Sequence, residues 1–68
     1  MKTNLDIFAE IIADEDYLLE IRVLAQLKIL NLSDTAMREA WMTSLNQSSS
    51  EYKRVQLQLD HLVTLEGE

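Results

Sequence analysis

"YLLEIRVLAQLKIL", residues 17–30, decides how this chain folds. Only Glu20, Arg22, Gln26 and Lys28 interrupt its apolar residues, and neither proline nor glycine breaks it. Leu19, Val23, Leu27 and Leu30 make one stripe at helical spacing, and Leu18, Ile21, Ala25 and Ile29 make another. Two stripes leave most of the helix circumference apolar, which predicts burial on more than one side. In a chain of 68 residues the cover comes either from the other helices or from a second copy. Leu19, Val23, Leu27 and Leu30 are therefore the expected homodimer interface.

The rest of the chain is also helix chemistry. Proline is absent, the one glycine is Gly67, and Leu, Ala, Glu, Gln, Lys, Arg and Met dominate. Boundaries must then be read from caps. Asn4 or Thr3 can cap a first helix from Leu5 to about Ala13, with Leu5, Phe8, Ile11 and Ile12 as its buried face. Asp14 or Asp16 can cap the second, running to about Leu30, although nothing forbids one continuous helix. "NLSD", residues 31–34, is sharper punctuation: Ser33 is a good N-cap, and Leu32 and Met37 occupy the staple positions. A third helix, Asp34 to Leu45, then buries Met37, Ala40 or Trp41, and Leu45. After the polar loop 46–50, Ser48 and Glu51 match a capping box opening a fourth helix, with Tyr52, Val55, Leu59 and Leu62 as its seam. Gly67 sits where a helix stop belongs. The fold class expected is all-α: one domain, residues 1–68, as a compact bundle of three to four short helices completed by homodimerisation.

Composition excludes several kinds of function. There is no cysteine and one histidine, which argues against disulfides and a structural zinc site. With 47% hydrophobic residues the chain is too apolar for disorder despite a net charge of −6. No apolar run approaches the roughly 18 residues of a membrane span, and the acidic start does not resemble a signal peptide. The expectation is a soluble cytoplasmic protein that does not engage membranes.

Catalysis requires convergent nucleophiles, acid–base groups or a cofactor cradle, and no such constellation is visible. His61 beside Asp60 reads as a surface histidine, and Ser48-Ser49-Ser50 as capping and loop chemistry. Phosphate loops and EF-hand loops both need internal glycine, so no cofactor or metal is expected. Residues 24–45 can be drawn as helix-turn-helix, but the second helix would carry Asp34, Arg38 and Glu39, a net charge of −1. That is the wrong sign for a major groove, so the sequence argues against direct nucleic-acid binding.

What remains is the placement of charge. Residues 1–20 carry six acids against Lys2, a net charge of −5, whereas residues 21–68 sum to −1. Asp6, Glu10 and Asp14 recur at i, i+4 and i+8 with no lysine in the row, a spacing that costs a few tenths of a kcal/mol per pair. Glu15 and Asp16 extend the cluster. A solvated helix face with dipole-favoured acids explains it, as does a surface for a basic protein partner. Trp41 and Met42 are core fillers or an interface anchor. The reading is a non-enzymatic protein-binding module acting stoichiometrically as an inhibitor or regulator. Its expected contact residues are Asp6, Glu10, Asp14, Glu15, Asp16, Trp41 and Met42. The alternatives are a chaperone or adaptor subunit of a larger assembly, and a DNA mimic or transcriptional regulator.

Overall fold

The structure, a computed structural model, describes residues 2–67. Among them are four helices and no strand: α1 (Asn4–Ala13), α2 (Leu19–Ile29), α3 (Asp34–Leu45) and α4 (Ser49–Glu66). α2 touches each of the other three, whereas α1 and α3 do not meet. The stretch that is apolar almost all round thus occupies the middle. Leu24 and Ala25 of α2 are fully enclosed, surrounded by Ile7 and Ile11 of α1, Trp41 of α3, and Val55 and Leu59 of α4.

Three of the four starts are capped by a hydroxyl. The Thr3 hydroxyl accepts from the Asp6 N–H at 3.2 Å, and the Asp6 carboxylate accepts from the Thr3 N–H at 3.3 Å, a complete capping box. Ser33 accepts from Ala36 and Ser48 from Glu51. At Ser48 the reciprocal bond is not made, because the Glu51 carboxylate pairs with Arg54 instead. α2 begins without a side-chain cap at Leu18.

Asp14 and Asp16, the expected caps of α2, do other work. Asp14 closes α1, and its carboxylate accepts from the Asp16 N–H at 2.9 Å, which shapes the turn three residues before α2 begins. The break between α1 and α2 is real, but it belongs to α1's end. No basic residue stands in the last turn of α1. Arg22 of α2 supplies the charge, its Nε donating to the Ile12 carbonyl at 3.0 Å.

One further expectation needs correcting. Leu5 is 59% exposed, and Ile7 takes its place in the core at 1%. Gly67 ends α4 as expected, in right-handed backbone, φ −82°. The left-handed residues are Asn31 and Asn46, which follow α2 and α3.

Candidate interaction surface

On a helix of 3.6 residues per turn, Leu19, Val23 and Leu30 fall within about 40° of one another. Ile21, Leu24 and Ala25, three of its four buried residues, occupy the opposite side. The outward stripe is largely uncovered: Leu19 is 57% and Leu30 56% exposed, and Val23 is half-buried. Leu18 and Leu32 continue the exposed leucines past each end of α2. Leu27 must be removed from the expected dimer contacts. It lies on the shoulder of the stripe and is buried in the chain's own core. Gln26, exposed between Val23 and Leu30, shares the outward face instead.

The acidic residues all stay at the surface, and several have local tasks. Asp6 belongs to the capping box and Asp14 to the turn. Glu10 is paired with Lys2 at 2.9 Å, and Lys2 also reaches Glu66 of α4 at 3.5 Å. The row that lacks a lysine in sequence therefore acquires one in space, from the segment preceding α1. The hydrogen bond that the Lys2 ammonium donates to the Glu10 carboxylate holds Lys2 above its ordinary pKa. Glu15 and Asp16 have no ion pair among the described residues.

Between these carboxylates lies a groove of about 320 Å³. Ile7, Ile11 and Tyr17 give it an apolar side, and Glu10, Asp14 and Glu66 give it an acidic one, with Lys2 at its edge. Such a lining suits a long basic side chain, whose stem packs on apolar surface while its head meets carboxylate. No sequence signal placed Glu66 beside α1, because that contact joins the two ends of the chain.

Trp41 is not available to a partner in this fold. It is 0% exposed, packs edge-to-face on Tyr52 with ring centroids 5.6 Å apart, and directs its indole N–H toward the Glu20 carbonyl. Met42 is half-buried against the same core. Trp41, one of the two residues expected to anchor a partner, instead packs within the core shared by α2, α3 and α4. His61 is exposed on α4, between Leu57 and Leu65 one turn away on either side. Among the described residues no group of three or more His, Cys, Asp or Glu could hold a metal ion, and no helix is long and apolar enough to cross a membrane. The chain matches no known family, no curated protein and no solved structure.

Proposed function

We propose that the protein is a cytoplasmic, non-enzymatic binding module. It forms a homodimer through the outer face of α2 and acts stoichiometrically as an inhibitor or regulator of a second protein with a basic surface. The observation that carries this reading is the largely uncovered stripe Leu19, Val23 and Leu30 on the outer face of α2, continued past its two ends by the exposed Leu18 and Leu32. Leucines left in water on a helix lose the burial energy that pairing would return, about 25 cal/mol per Å². Residues 19, 23, 26 and 30 also follow the four-three-four spacing of a helix-pairing seam. A two-fold axis would bring Gln26 near its own copy, and an amide both donates and accepts.

The acidic groove supports the charge of the second partner. Two dimer-related grooves would present six carboxylates, with Glu15 and Asp16 adding unpaired charge nearby. Complementary charge of this kind raises the association rate and is screened over about 10 Å at 0.1 M salt.

The test must remove charge without breaking the caps. Asp6→Asn, Asp14→Asn and Glu10→Gln each keep one acceptor oxygen, enough for the bonds from the Thr3 and Asp16 N–H groups, while removing three charges. The combined variant is expected to keep its helicity and to lose capture of a partner that the natural chain retains at low salt. Equal retention by both would remove the acidic surface from the function.

A further inference from the structure

We propose that the cleft between the first turn of α3 and the first half of α4 binds a small, singly charged oxyanion, with Arg38 and Lys53 as counter-charges and the Tyr52 hydroxyl as buried partner. The cleft has a volume of about 200 Å³ and is lined by Asp34, Thr35, Arg38, Tyr52, Lys53 and Gln56.

The first observation is an orphan. Tyr52 is 5% exposed, and its phenol oxygen is buried without a hydrogen-bond partner among the described residues. Native proteins satisfy nearly all such atoms, so one left unpartnered on a residue that lines a cleft calls for a group from outside. Burial, followed by the Asp34 carboxylate, pushes the phenol above its ordinary pKa while Arg38 pulls it down. Asp34 and Arg38, which both line the cleft, therefore act on this oxygen.

The second observation is independent of the first. Lys2 pairs with Glu10 and Glu66, Lys28 with Asp60 and Arg54 with Glu51, while Arg22 donates to the Ile12 carbonyl. Arg38 and Lys53 alone have no such partner among the described residues, and both stand on this cleft. In a chain of net charge −6, two unpaired cations have been kept together beside the unsatisfied hydroxyl.

The backbone agrees with an anion. Ser33 occupies the N–H groups of Ala36 and Met37, which leaves those of Asp34 and Thr35 at the positive end of α3. Asp34 limits the charge, since two cations and one carboxylate leave +1. Arg38 and Lys53 are exposed and can swing aside to admit the ligand without disturbing the core. The shared chemistry is a planar or tetrahedral oxyanion, from a carboxylate or from a phosphate group.

Backbone amide shifts of the labelled chain, titrated separately with acetate and with inorganic phosphate against chloride at fixed ionic strength and pH 6, test this site. At least one anion is expected to give saturable shifts at Thr35, Tyr52 and Lys53, and the responsive arm identifies the source. Arg38→Ala with Lys53→Ala should weaken that binding about tenfold or more, the loss expected for hydrogen bonds to a charged group. Tyr52→Phe, which keeps the ring against Trp41, should weaken it several-fold. Absence of saturation with both anions, or binding unchanged in either variant, would overturn the proposal.

Discussion

Asn31 and Asn46 carry the left-handed backbone after α2 and α3, with φ of 55° and 52°. An ordinary side chain pays about 1–2 kcal/mol there, glycine pays almost nothing, and asparagine lies between. Asn46→Ala is therefore expected to lower stability by about 1 kcal/mol, with Asn46→Gly at or above the natural chain; urea unfolding followed by circular dichroism measures both. Tyr52 gives the opposite kind of prediction. Its buried hydroxyl has no partner, so Tyr52→Phe should stabilise the anion-free protein by about 1 kcal/mol. The phenol also sets an alkaline limit. Its folded pKa is raised by burial, so the unfolded chain ionises first, near pH 10. The stability tied to the neutral phenol is complete below that pH and is lost as pH rises through the folded value. Lys2, raised by its bond to Glu10, loses its contribution in the same direction. A series of melting temperatures from pH 8 to 11 should fall beyond pH 10, and less steeply in Tyr52→Phe.

The helices differ in how local their causes are, and that difference decides what a reader of the sequence can see. α3 and α4 begin at Ser33 and Ser48, whose hydroxyls bond three residues ahead; both starts are legible because cause and effect share one turn. α2 begins without a side-chain cap, so no residue announces it, and the aspartates that resemble its caps serve the end of α1. On α1, Leu5-Phe8-Ile11-Ile12 and Ile7-Phe8-Ile11 are both acceptable helical faces; the packing of α2 and α4 against α1 chooses the second. The same long-range contacts hid the site. Trp41 and Met42 look alike in the sequence to an interface anchor, yet Trp41 is the centre of the packing between α2, α3 and α4. Trp41→Ala should cost about 3–5 kcal/mol, most of the roughly 3–10 kcal/mol that a domain this long holds. Loss of the cooperative thermal transition in that variant is the expected result, and a well-folded Trp41→Ala protein would contradict the packing described. Arg22→Ala, which removes the cation from the end of α1, should cost about 1 kcal/mol by the same assay.

At the scale of the whole molecule, one copy hides the inner half of α2 and leaves its outer half wet. Among the described residues seven large apolar side chains remain exposed, and four of them, Leu18, Leu19, Leu30 and Leu32, lie on α2 or immediately beside it. A standard interface takes about 800 Å² from each partner, about a sixth of a surface of 4565 Å², so pairing would cover the exposed leucines of α2 and leave most of the remaining surface to solvent. The Tyr52 cleft lies between α3 and α4, and the acidic groove runs along α1 with Tyr17 and Glu66. Sedimentation equilibrium of the natural chain beside Leu19→Glu/Leu30→Glu measures that pairing directly. The natural chain of 7.9 kDa is expected to sediment as two copies, and the double variant as one copy with unchanged helicity. A natural chain that remains a single copy up to about 1 mM, where even a weak pair forms, would contradict it.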